Sequence, residues 1–254
     1  MRNIRLIARL DIKAPNLVKG IQLEGLRKLG DPNIFAKKYY QDGIDEIYFE
    51  DIVASLYERN SLVEIIKRTT ENVFVPITVG GGLRNIDDIS SALRSGADKV
   101  SINTAAIKNP EIIKKAAKRF GSQSIVLSIQ AKKNSNSWEA YFDNGREHSG
   151  IDAVDWASRG EELGAGELLV TSVDKEGMAK GFDHELIKEI SSNVSIPVIA
   201  SGGMGKLEHL SDVVKIGKAD AVAMAHVLHY EHLSIKQIRE YALENDILVR
   251  PMEE

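Results

Sequence analysis

Eight short apolar runs recur along the 254 residues, each followed by a longer amphipathic segment. No other feature limits the possible folds as strongly. The runs are Arg5–Asp11, Glu46–Asp51, Val75–Val79, Lys99–Ile102, Ile125–Ile129, Glu167–Ser172, Pro197–Ala200 and Ala219–Ala223. Helical periodicity lies between them at Asn33–Gln41, Leu62–Thr70, Ile86–Arg94, Pro110–Arg119, Ala153–Leu163, His184–Ser191, Leu207–Ile216 and Ile235–Glu244. A strand followed by a helix, eight times over, predicts parallel pairing through right-handed crossovers. Closing eight such units predicts an α/β fold, a single (β/α)8 barrel, with residues 1–254 as one domain. An open doubly wound sheet is the alternative.

The chain also echoes itself at about 120 residues. Leu10-Asp-Ile-Lys13 matches Ser128-Ile-Gln-Ala-Lys132, Asp51 matches Asp174, and Gly81-Gly82 matches Gly202-Gly203. Val75-Pro-Ile-Thr-Val-Gly-Gly likewise matches Ile196-Pro-Val-Ile-Ala-Ser-Gly-Gly. These echoes predict two half-barrels related by two-fold pseudo-symmetry, with equivalent strand ends facing each other across one mouth. Two insertions interrupt the pattern. Leu17–Pro32 is polar, contains three glycines and reads as a long functional loop, whereas Asn134–Ser149, with Trp138–Phe142 followed by Asp143-Asn-Gly145, carries a hairpin signal.

Composition narrows the function. A net charge of −4 without a dense Lys or Arg run argues against a nucleic-acid groove or an anionic membrane surface. With no cysteine, disulfides, thiolate metal sites and a Cys nucleophile are excluded. Charges break the apolar run at the N-terminus, and no stretch reaches the roughly 18 apolar residues of a membrane span, so the chain reads as cytoplasmic. The six histidines show no ligand spacing, and no metal or cofactor is implied.

In a (β/α)8 barrel the chemistry sits where strands end. Asp11, Asp51, Asn103, Thr104, Gln130, Thr171, Ser172, Asp174 and Ser201 all fall at or just beyond predicted strand C-termini. Helix capping could account for any one of them, but hardly for the ring. Gly80-Gly-Gly82 and Gly202-Gly203 are the phosphate candidates, because glycine lets backbone N–H groups approach an anion. Asn103-Thr104 would complete the first site, and Gly177 with Ala225-His226 the second. Two such sites half a barrel apart suit a ligand with a phosphate at each end. Asp11 is the natural general acid or base; its counterpart, Gln130, can hydrogen-bond but cannot exchange a proton. At the opposite face Arg5, Glu46, Lys99 and Glu167 open four strands, and burying them requires mutual pairing.

These residues carry a family resemblance over essentially the whole chain. Leu10-Asp-Ile-Lys13, Val18-Lys-Gly20, Gly30-Asp-Pro32, Thr78-Val-Gly-Gly-Gly82, Gly96–Ala106, Phe120-Gly-Ser-Gln123, Gly164-Ala-Gly-Glu167, Thr171-Ser172 and Ile199–Gly203 together resemble the cyclase subunit family of imidazole glycerol phosphate synthase. The resemblance implies a bis-phosphorylated aminoimidazole carboxamide ribonucleotide as substrate, cleaved and cyclised with ammonia from a separate glutaminase subunit. It implies Asp11 as acid/base, Lys19 on a loop folding over substrate, and Arg5, Glu46, Lys99 and Glu167 as an ammonia gate. It places Asp98 at the glutaminase-docking face.

The chain departs from that family at several points. Gln130 stands where the family has a second catalytic aspartate, Ala14-Pro15 replaces Asp-Gly, and Glu176 and His226 replace an aspartate and a serine. Three readings follow: the family's cyclase–lyase reaction, a paralogue aminating another phosphorylated sugar or nucleotide-sugar precursor in surface-glycan synthesis, and a non-catalytic activator of a glutaminase. The gate residues favour the first two.

Overall fold

A computed structural model describes residues 3–54 and 62–252. Eight strands close into a parallel barrel: β1 (Arg5–Lys13), β4 (Glu46–Asp51), β5 (Ile77–Gly80), β6 (Lys99–Ile102), β7 (Ile125–Asn134), β10 (Glu167–Ser172), β11 (Val198–Ser201) and β12 (Ala221–Met224), with β12 returning to β1. The (β/α)8 reading therefore holds, and the open sheet does not. Strands β5 and β11 each begin just after a proline, two residues and one residue later than the sequence predicts. Proline has no N–H for the ladder, and only the carbonyls of Pro76 and Pro197 are used, by Ile47 and Leu168.

Helices α1 (Pro32–Gln41), α2 (Val63–Thr70), α3 (Ile86–Arg94), α4 (Thr104–Lys108), α5 (Glu111–Phe120), α6 (Ala153–Glu162), α7 (His184–Asn193), α8 (Glu208–Ser211), α9 (His226–His229) and α10 (Ile235–Glu244) connect the strands. Their starts are written in the sequence. Asp31, Asn85, Asp152 and Asp183 cap first-turn N–H groups of α1, α3, α6 and α7, and Ser234 with Gln237 forms a capping box on α10. The helix expected over Leu207–Ile216 changes character halfway. Beyond α8 the turns widen to π geometry over Asp212–Ile216, closed by the Gly217 N–H on the Asp212 carbonyl at 3.1 Å.

The segment expected as a loop over Leu17–Pro32 is mainly a hairpin, β2 (Asn16–Ile21) and β3 (Glu24–Gly30). Strand β1 runs past the barrel and pairs antiparallel with β2, Asp11 opposite Val18. That pairing satisfies backbone groups which a structureless loop would leave to water. The expected second hairpin forms in the same way: β7 overruns the barrel into β8 (Ser137–Phe142) and β9 (Glu147–Asp152). Both overruns start from strands half a barrel apart, matching the sequence echo between Asp11 and Gln130.

Alternation along the strands divides the core. Leu6, Ala8, Leu10, Ile12, Ile47 and Phe49 face outward into the layer shared with the helices. Ile7, Tyr48, Val126, Leu169, Ile199, Ala221 and Ala223 form a separate plug inside the barrel. This packed plug separates two polar ends.

Candidate active site

At the strand N-terminal end, the first residues of β1, β4, β6 and β10 form a closed ring of alternating charge. Arg5 donates to Glu46 at 2.7 Å and also to Glu167; Lys99 bridges the same two carboxylates at 3.0 and 2.8 Å. Thr78 adds a donor to Glu46 at 2.6 Å. Asp98, exposed at this end, accepts from the Ile77 N–H at 2.8 Å, as Asp45 does from Leu6 and Asp220 from Val198. An aspartate just ahead of a barrel strand thus repeatedly ties down its neighbour.

At the other end a buried ionic network fills the middle of the mouth. Arg9 projects from β1 and donates through Nε to Asp11 at 2.9 Å. Its Nη1 reaches Thr171 Oγ1 at 3.0 Å and Ser201 Oγ at 3.2 Å. Lys19, on β2 of the hairpin, ion-pairs with Glu176 and lies 3.6 Å from Asp11. Burial alone would raise the Asp11 pKa, but Arg9 and Lys19 outweigh it and hold the carboxyl below its ordinary value. Burial would likewise lower Lys19, yet Glu176 and Asp11 keep it above its ordinary range. Lys19 is therefore not a free loop residue; the hairpin lays it flat into the network.

Beside this network lies a cavity of about 350 Å³, lined by Glu50, Asp51, Gly81, Gly82, Ser101, Asn103, Thr104, Gln130, Asp143 and Asn144, with Arg84 and Lys108 also on its wall. Gly81 and Gly82 both have positive φ, and a Cβ on Gly81 would stand 2.2 Å from the Asp51 carbonyl oxygen, so the turn requires glycine. Ser101 Oγ, Gln130 Oε1, Asp143 Oδ1 and both polar atoms of the Asn144 amide are buried without a hydrogen-bond partner among the described residues. Buried polar atoms left unpaired are costly, so their convergence on one cavity marks a site built for a polar ligand. Asn103 is already committed: its amide donates to the carbonyls of Ser128 and Tyr141 at 3.1 and 3.0 Å. Thr104 Oγ1 accepts from the Asp143 N–H at 3.1 Å.

The second glycine cluster is arranged differently. Gly177, Gly202, Gly203, Ala225 and His226 surround only about 10 Å³, shared with Arg9, Ser201 and Glu176. That is room for a single water. Glu176 occupies the space an anion would need, and Gly177 packs against the Gly20 backbone of the hairpin. Asp174 joins neither cavity. It is exposed and accepts from the Lys133 N–H at 2.8 Å.

Arg9, Glu50 and the buried His229 were not among the residues singled out from the sequence. The available signal was a charge at an inward position of an otherwise apolar strand, as in Arg5-x-Ile7-x-Arg9-x-Asp11 and Glu46-x-Tyr48-x-Glu50. His229 stacks on Tyr39 and shares a 2.7 Å hydrogen bond with its hydroxyl. Burial lowers its pKa to about 4, with Asp11 opposing and Lys19 adding to the effect. A folded-state pKa below the free value means the unfolded chain binds the proton more readily. Stability from this group is therefore present above about pH 6.5 and is lost as pH falls toward 4. The expected loss is about 3 kcal/mol. Thermal melts at pH 4.5 and 7 should show it, and His229→Gln should flatten the difference; an unchanged difference would refute it.

The fold and these features define a class: a (β/α)8 barrel enzyme with a polar, glycine-walled ligand cavity at the strand C-terminal ends. The comparisons agree. Residues 5–234 match the family model described as histidine biosynthesis protein. The chain is 64% identical over 212 residues to imidazole glycerol phosphate synthase subunit HisF of Legionella pneumophila, covering 83% of this chain and all of that protein. It is 45% identical over 250 residues to the subunit of the same name from Dehalococcoides mccartyi (98% and 99% covered). It is also 47% identical over 266 aligned positions to that of Methanocaldococcus jannaschii (97% and 98% covered). The chain belongs to the family of the imidazole glycerol phosphate synthase cyclase subunit. None of its described helices is long and apolar enough to cross a membrane.

Proposed function

We propose that this chain catalyses the ammonia-dependent cyclase–lyase step, converting a bis-phosphorylated aminoimidazole carboxamide ribonucleotide to imidazole glycerol phosphate and the aminoimidazole carboxamide ribotide. The observation that carries the reading is the 350 Å³ cavity at the strand C-terminal ends, with its unpartnered polar atoms, in the same barrel as the charged ring at the other end. Gly81, Gly82 and Thr104 would take one phosphate through backbone N–H groups, with Arg84 and Lys108 supplying positive charge. Gly177, Gly202, Gly203 and Ala225 would take the other once Glu176 leaves that space with Lys19 and the hairpin. Asp11 would move protons, and Gln130 would hold substrate by hydrogen bonding. Asn103, Thr171, Ser201 and His226 would shape the two ends, and Asp174 would anchor the overrun of β7.

In this reading a glutaminase subunit docks on the face bearing Asp98. Its ammonia enters past Arg5, Glu46, Lys99 and Glu167, and the pair works in the cytoplasm without a cofactor. A second reading, amination of a different phosphorylated sugar or nucleotide-sugar precursor, is favoured by Gln130 and by the narrowness of the second phosphate end. Steady-state turnover of the bis-phosphorylated substrate with excess ammonium salt, at a pH no higher than about 8, distinguishes the two. Wild-type turnover supports the first. An inert wild type beside a Gln130→Asp variant gaining roughly 10²-fold or more over background supports the second.

A further inference from the structure

Position 130 leaves the site one proton carrier short. Its amide lines the cavity from β7, with Oε1 buried and unpartnered, but an amide cannot exchange a proton. The same cavity holds a carboxyl on the neighbouring wall. Glu50 lies near the end of β4, and its position is built into the barrel. The Tyr48 hydroxyl donates to Glu50 Oε2. Gly80, its partner across the β4–β5 ladder, has no side chain, and a Cβ there would stand 2.5 Å from that oxygen and 2.6 Å from the tyrosine hydroxyl.

We propose that Glu50 is the second proton-transfer residue of this site, acting from β4 where Gln130 cannot act from β7. The proposal rests on the cyclase–lyase reading. As ammonia attacks, its lone pair forms the new C–N bond, and the electron pair of the breaking bond goes to the departing atom. The Glu50 carboxyl protonates that atom, and the resulting carboxylate takes the proton shed by the newly bound nitrogen. Each cycle ends with Glu50 protonated again.

The groups around Glu50 fit this division of labour. From β1 it faces Arg9 and Asp11, on its own strand Tyr48 and Asp51, and Arg84, Lys108 and Asp143 line the rest of the cavity; Gly80 on β5 offers no charge. Burial pushes the Glu50 carboxyl up to about 8, with Asp11 and Asp51 adding to burial and Arg9 opposing it. Asp11 is held ionised by Arg9 and Lys19. Two carboxyls driven to opposite protonation states are the usual mark of an acid and a base.

Two measurements test it. First, protein labelled with carboxyl-¹³C glutamate is titrated by NMR without substrate. One resonance titrating near pH 8 is expected in the wild type and missing in Glu50→Gln, whose amide spectrum otherwise stays folded. A Glu50 resonance fully ionised by about pH 6 overturns the proposal. Second, ammonium-dependent turnover is followed against pH. Glu50→Gln should lower kcat about 10²–10⁴-fold with little change in KM, and Glu50→Asp should recover part of it. The wild-type kcat should fall as pH rises through about 8, and that limb should vanish in Glu50→Gln. Wild-type kcat in Glu50→Gln overturns the proposal. An inert wild type sinks the cyclase–lyase reading instead, and the substrate-free titration still decides whether Glu50 carries the proton.

Discussion

Asp11→Asn should reduce ammonium-dependent turnover by about 10²–10⁴-fold while leaving the fold intact. The carboxylate accepts from Arg9 and faces Lys19, and an asparagine of the same shape keeps an oxygen acceptor toward Arg9 Nε. What it loses is negative charge between two buried cations and the ability to exchange a proton. In the proposed reading substrate phosphate is held at Gly81 and Gly82, in the neighbouring cavity, so KM should change far less than kcat. Steady-state kinetics with a circular dichroism control checks this. A variant retaining wild-type kcat would remove Asp11 from the chemistry.

Arg9→Met should cost about 3–5 kcal/mol of stability, or roughly 10 °C in melting temperature for a chain of this size. Arg9 is 2% exposed and is the donor to Asp11, Thr171 and Ser201. Methionine fills much of the volume but leaves Asp11 buried with only Lys19 near it, and strips the two hydroxyls of their donor. Arg9→Lys should recover little, because one ammonium cannot reproduce a fork directed at a carboxylate and two hydroxyls. Thermal and urea melts decide it; a loss under about 1 kcal/mol would mean that the network is not holding the barrel mouth together.

Much of this protein is legible in its sequence because barrel strands and helices are set by local periodicity. Glu46–Asp51, Lys99–Ile102 and Glu167–Ser172 appear in the structure with the bounds read from the short apolar runs of the sequence. Capping residues such as Asp31, Asn85 and Ser234 fix where helices start, and the Gly81-Gly82 and Gly202-Gly203 pairs mark the turns at the mouth, because their positive φ strongly favours glycine. The two strands that overrun the barrel, β1 and β7, are the ones that carry the echoed positions Asp11 and Gln130. The four charges opening β1, β4, β6 and β10 demand partners, and closure of the barrel supplies each with the others.

What the sequence could not decide is which cavity stays open. That outcome depends on side chains meeting across distant strands: Lys19 reaching Glu176 from a hairpin, Arg9 crossing the lumen to Thr171 and Ser201, and Glu50 lying beside Gly80. A glycine pair reads the same in sequence whether an anion or a glutamate fills the space above it. The first pair faces a cavity of about 350 Å³ and the second only about 10 Å³. Local pattern sets the chain's direction and the faces of its elements. Charge pairing across the closed barrel then determines which polar atoms are satisfied and which are left to a ligand.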